Sequence, residues 1–218
     1  MKNKVLLFIS FLSMAVFCQQ SPEDELGVWF MFDGNHQLSE KWTIKTSTHF
    51  RFFDVLDDFQ QYTLRVGGNY SVSDLFSFCG GYYYTNKDQT YNIKGGEINE
   101  HRVYEDFKLK HQLKALQFSH RFRFEHRFFK DFTRHRFRYL LGLKHPIHKK
   151  WIGYAYEEFF FNFIGKSYAE NRIGLGVAYK LSDFVNIKAG YLHIAQTNSK
   201  FNRLQLGVVI KTNHQKNK

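Results

Sequence analysis

The sequence predicts an all-β protein, a transmembrane antiparallel up-and-down β-barrel of about ten strands, with twelve as the alternative. Three observations point there. The chain opens on a segment with the layout of an export leader. Beyond that leader, apolar and polar residues alternate with a period of two over many stretches. No later apolar run reaches the roughly 18 residues that a membrane-spanning helix needs.

The leader comes first. Met1-Lys2-Asn3-Lys4 is basic and Val5 to Phe17 is apolar, which is the order of a secretory signal peptide. The apolar part is too short to cross a bilayer as a helix. Val16 and Cys18 occupy the small-residue positions before a cleavage site, so cleavage is expected after Cys18. Residues 1–18 are then the signal peptide and residues 19–218 a single outer-membrane barrel domain. Phe17 argues against lipidation, because a lipoprotein site carries a small residue just before its cysteine. After cleavage Cys79 has no partner for an intramolecular disulfide and reads as a small strand residue.

Alternation is clearest from Lys41 to Phe52. Trp42, Ile44, Thr46, Thr48, Phe50 and Phe52 share one face, and Lys41, Thr43, Lys45, Ser47, His49 and Arg51 the other. At the usual tilt about 9–11 residues suffice to cross a bilayer. Further along, Tyr62, Leu64, Val66 and Tyr70 oppose Gln61, Thr63, Arg65 and Asn69. Leu116, Phe118, Phe122, Phe124 and Phe128 share a face with His120 and His126, against Gln117, Ser119, Arg121, Arg123, Glu125 and Arg127. Phe137, Tyr139, Leu141 and Leu143 oppose Arg134, Arg136 and Arg138. Ile173, Leu175, Val177 and Tyr179 oppose Arg172, Gly174, Gly176 and Ala178, and Leu204, Leu206, Val208 and Ile210 oppose Arg203, Gln205 and Gly207. Five weaker segments, 26–33, 75–85, 98–110, 151–161 and 184–195, bring the candidates to eleven. An even count is usual, so segment 26–33 is expected either inside the lumen or as part of a twelve-strand barrel.

Short turns at Ser71–Asp74 and Lys180–Asp183, and a longer one at Lys144–Lys149, alternate with more variable connections, of which Asn86–Glu97 is the longest. Short turns at one end and longer loops at the other are the layout of an outer-membrane barrel.

The two faces separate a barrel in lipid from a soluble sandwich, which also alternates. Phe, Tyr and Leu crowd one face, suited to lipid, and arginine concentrates on the other, suited to a wet or hydrogen-bonded lumen. Trp29, Trp42, Tyr70, Trp151, Tyr154 and Tyr179 lie near strand ends and are expected in interfacial girdles. The formal net charge is +11, aromatics make up 19% of the chain and there are two prolines. Bases interleaved with aromatics exclude a disordered basic tail.

The segments Glu25-Leu26-Gly27-Val28-Trp29, Arg121 to Arg127, Arg136-Phe137-Arg138-Tyr139, Glu157 or Glu158 followed by Phe159 to Asn162, and Asn171-Arg172 followed by Gly174-Leu175-Gly176 resemble the domain of unknown function 2490 family. That resemblance spans nearly the whole chain beyond the leader and implies an outer-membrane barrel. It implies no reaction, because the family has none assigned.

The residues that could carry function form one set: Arg121, Arg123, Glu125, Arg127, Arg134, Arg136, Arg138, Glu157 and Arg172. Like charges on paired strands repel unless acids intervene, and Glu125, Glu157 or Glu158, Glu170, Glu100 and Asp106 are the available partners. Two readings are open. The set is a structural charge network filling a narrow lumen, or a basic constriction that prefers anions. No catalytic group can be assembled, since Ser119 and His120 point to opposite faces of a strand. An enzyme acting on lipid or lipopolysaccharide is the alternative, and it would need a lipid-facing Ser/His/acid cluster. The histidines lack zinc-site spacing, and the Gly-Gly pairs lack a following Lys-Ser/Thr for phosphate, so no metal or cofactor is expected. Outer-membrane lipid and lipopolysaccharide, the barrel-assembly machinery and anionic solutes are the expected partners. Nucleic acid is not, because the chain is exported.

Overall fold

The computed structural model describes residues 22, 24–91, 96–165 and 167–215. The expected signal peptide at 1–18 lies outside them. Eleven strands follow one another: β1 (Leu26–Gln37), β2 (Trp42–Phe52), β3 (Phe59–Ser71), β4 (Phe76–Asp88), β5 (Glu97–Leu113), β6 (Leu116–Phe128), β7 (Thr133–His148), β8 (Trp151–Asn162), β9 (Tyr168–Lys180), β10 (Val185–Gln196) and β11 (Lys200–Asn213). Each pairs with its neighbours in sequence, and β1 pairs with β11 to close a barrel.

Strand count fixes the geometry of the closure. In a meander every successive strand reverses, so the first and last of an odd number run the same way. Accordingly β1 and β11 pair in parallel, from Leu26 opposite Asn202 to Gln37 opposite Asn213, while every other pair is antiparallel. Segment 26–33 is therefore neither folded into the lumen nor one of twelve strands. It is wall, and among the described residues the count is eleven.

The connections at 38–41, 72–75, 114–115, 149–150 and 181–184 share one end of the barrel. Those at 53–58, 89–96, 129–132, 163–167 and 197–199 share the other, longer-looped end. The expected long turn at Lys144–Lys149 is absent because β7 runs on to His148. It does so through a register shift between Pro146 and His148, at a residue whose missing N–H cannot join a regular ladder.

The two faces read from the alternating strands keep their sides in the barrel. Leu64, Val66, Phe122, Leu175 and Leu206 are exposed on the outside, while Ser47, Thr63, Arg123, Arg203 and Gln205 are buried inside. Trp42 packs against Tyr70 with ring centroids 5.0 Å apart and Trp151 against Tyr179 at 4.8 Å, both pairs tilted, and both sit at the short-turn end. Trp29 and Tyr154 depart from the girdle expectation. Both fall on the inward parity of their strands, and Trp29 packs with Leu192 and Ile194.

Lumenal tyrosines need room, and glycines provide it. A Cβ on Gly67 would collide with the Tyr104 hydroxyl, and one on Gly81 would stand 2.6 Å from it. Gly174 makes the same allowance for Tyr156, and Gly176 and Gly190 for Tyr154. The Gly-Leu-Gly run at 174–176 is thus a pair of seats for rings reaching across from β8.

Candidate functional site

The charge network of the lumen is built mainly by inward-facing residues of β5 to β9 whose register sets who meets whom. Glu125 on β6 lies directly opposite Arg136 on β7, with Arg138 and Arg102 on the diagonals and Arg123 two residues back on its own strand. These are the positions at which side chains on a pleated surface touch. Glu125 is only 1% exposed. It accepts from Arg102 Nη1 at 3.0 Å, Arg138 Nη1 at 2.8 Å and Arg136 Nε at 2.8 Å, and Arg123 Nη1 stands 3.8 Å away.

Three further carboxylates extend the network. Asp106 faces Arg123 across the β5–β6 ladder and takes both its Nε, at 2.6 Å, and its Nη2, at 2.8 Å. Glu100 accepts from Arg102 and from both Nε and Nη2 of Arg127. Glu158 bridges Arg138 on the neighbouring strand and Arg121 one strand further, at 2.9 and 2.5 Å. Nearer the long-loop end, Glu170 pairs with Arg172 and Gln196.

Aromatic rings fill the gaps between guanidinium groups. Arg136, Arg138 and Arg172 lie over the Phe160 ring at 5.0, 4.3 and 4.6 Å. Arg65, Arg102 and Arg123 surround Tyr83, whose hydroxyl accepts from Arg65 and Arg123. Stacking on the weakly hydrated face of arginine suits a site where water is scarce.

Of the expected set, Arg121, Arg123, Glu125, Arg127, Arg136 and Arg138 join one connected network, and Arg172 sits beside it over Phe160. Arg134 lines the cavity at the rim and lies over Phe132. Glu157 is a correction: it faces outward and accepts from Asn171, and Glu158 takes its place in the lumen. The difference is one residue of parity, since Leu140 pairs with Glu158 and Leu141 with Glu157. Sequence reasoning missed Arg102, Tyr83 and Phe160. On β5 the outward face carries His101 and Glu105, so both faces are polar and no alternation marks Arg102. On β8 the run Phe159-Phe160-Phe161 hides which ring points in.

Among the described residues, the lumen wall encloses the following cavities. One of about 610 Å³ reaches the long-loop end, and its wall carries ten arginines and Lys87 against three glutamates. A second of about 230 Å³ lies toward the short-turn end beside Asp106 and Lys108. Arg65, Arg121 and Arg123 border both and form the layer between them. Among the described residues no group of three or more His, Cys, Asp or Glu side chains is placed to hold a metal ion.

A closed meander with an aromatic outer belt and a charged lumen defines a β-barrel of the outer-membrane type. The family described as Protein of unknown function (DUF2490) matches residues 26–205, and the chain belongs to it. Among solved structures it is similar to the NanC porin, with a TM-score of 0.55 and 11% identity, over 85% of this chain and 99% of that one. It is also similar to a loop-deletion mutant of OmpT, an outer membrane protein of Vibrio cholerae, with a TM-score of 0.45 and 13% identity, over 75% of this chain and 57% of that one. The translocator domain of the autotransporter NalP from Neisseria meningitidis gives a TM-score of 0.44 and 14% identity, over 78% of this chain and 74% of that one. No curated protein matches in sequence.

Proposed function

We propose that this protein is an outer-membrane barrel, exported by its leader, whose lumen is a narrow anion-preferring path. The observation that carries this reading is the imbalance on the wall of the larger cavity, ten arginines and one lysine against three glutamates. Rings of fixed positive charge favour anions over cations in a pore. The layer of Arg65, Arg121 and Arg123 between the two cavities is the selecting constriction. Its charges are held in place by Asp106, Glu158 and Tyr83, so they cannot swing aside. Outer-membrane lipid and lipopolysaccharide surround the belt, insertion is the work of the barrel-assembly machinery, and small anionic solutes are the cargo.

The test is conductance of the purified, folded protein in a planar bilayer under a potassium chloride gradient. A reversal potential of the sign set by chloride is expected. Conductance at the baseline, or a potential set by potassium, removes the reading.

A further inference from the structure

We propose that the larger cavity holds a binding seat for an oxyanion, a carboxylate or phosphate group on a small solute, built around Arg51. The inference rests on the anion-path reading in that it needs solutes to enter the lumen from the long-loop end.

Register places a row of hydrogen-bond donors at one level across five adjoining strands. Gln205 on β11 lies opposite Trp29 on β1, Trp29 opposite Arg51 on β2, Arg51 opposite Gln61 on β3, and Gln61 opposite Lys87 on β4. All five line the same cavity. The other half of the barrel supplies Glu100, Asp106, Glu125, Glu158 and Glu170. Among the described residues, the one carboxylate on the inward faces of these five strands is Asp33, four residues along β1 from Trp29 and engaged by His49 and Arg65.

Two donors in this row are unspent. Arg51 lies with its guanidinium carbon 3.8 Å over the Trp29 ring, yet its Nε is buried with no partner and, among the described residues, no carboxylate stands within ion-pair distance of it. Trp29 is 5% exposed and its indole N–H is likewise buried and unpartnered. Arg172 lies 5.1 Å over the same ring. A buried arginine and indole N–H left without acceptors are costly, and an oxyanion drawn to this row would bring acceptors that the surrounding side chains do not supply. Guanidinium forks match the two oxygens of a carboxylate or phosphate, while Lys87 adds charge along the row.

The experiment uses the folded protein with Trp42→Phe and Trp151→Phe, so that Trp29 alone reports. Inorganic phosphate and acetate are titrated separately against a constant chloride background, following emission and, in parallel, heat. Saturable binding is expected, with the dissociation constant raised at least tenfold by Arg51→Gln and by Lys87→Gln, and unchanged by Lys180→Gln in the short-turn rim. Which of the two probes saturates at lower concentration tells carboxylate from phosphate. Heat-modifiable gel mobility checks that each variant has folded; should Arg51→Gln not fold, Lys87→Gln decides. Absence of saturation with both probes, or equal affinity in the wild type and the folded Gln variant, overturns the seat. Binding without conductance would overturn the path and leave the seat standing. Anion-set conductance with unaltered binding in the variants would do the reverse.

Discussion

Glu125 accepts from Arg138 Nη1 at 2.8 Å in the middle of a lumen where three other guanidinium groups close on the same carboxylate. One buried anion thus sits among four cations, of which Arg123, Arg102 and Arg138 also lean on Asp106, Glu100 and Glu158.

Glu125→Gln removes that charge and keeps the shape. Taking one partner from a buried charge cluster costs about 3–5 kcal/mol, so the urea midpoint of the detergent-folded barrel is expected to fall sharply. Asp183, by contrast, is bonded to Lys180 in an exposed turn. Asp183→Asn is expected to leave the midpoint where it was, as solvent screens such pairs. Equal midpoints for both variants would mean that water screens the lumen network too.

Facing can be tested by placing arginine on either side of the wall. Phe122 and Leu206 are exposed on the belt, where arginine near the midplane costs about 2–4 kcal/mol. Phe122→Arg and Leu206→Arg are expected to impair folding into vesicles, whereas Gln117→Arg, on the inward parity of β6, folds normally. If Gln117→Arg impaired folding as much as the other two, the parity of β6 would be wrong.

Gly67 and Tyr104 form a second testable pair. Gly67→Ala drives a Cβ into a hydroxyl that is itself sealed in the lumen, and overpacking of this kind costs about 1–3 kcal/mol. Tyr104→Phe should restore part of the loss in the double variant, since neighbouring sites couple. Gly80→Ala, whose Cβ meets nothing within 4 Å, serves as the neutral control. Strict additivity of the Gly67 and Tyr104 changes would contradict the contact.

Tryptophan depth checks the girdle. With single-tryptophan variants in vesicles, brominated lipids should quench Trp42 and Trp151, which lie on the outside of the short-turn rim, and leave Trp29 bright. Quenching of Trp29 to the same extent would put it on the lipid side and undo its place in the lumen.

Much of this molecule is written locally. A strand shows each face every second residue, so the Phe and Leu belt, the arginine face and six of the eleven strands can be read from short windows such as 41–52 and 116–128. Where both faces are polar, as on β5, or both aromatic, as on β8, the period vanishes and Arg102, Glu158 and Phe160 cannot be placed. Closure is not a local property at all. Whether segment 26–33 is lumen or wall depends on how many strands reverse before the chain returns, and eleven makes it a wall strand parallel to β11. The sharing of Glu125 among four arginines, and the donor row from Gln205 to Lys87, likewise exist only once register sets strands side by side. Composition can announce that arginine and glutamate face inward. Which carboxylate compensates which guanidinium, and which donors are left without one, is decided by distances of a few ångströms in a wall whose first and last strands pair residues 176 positions apart.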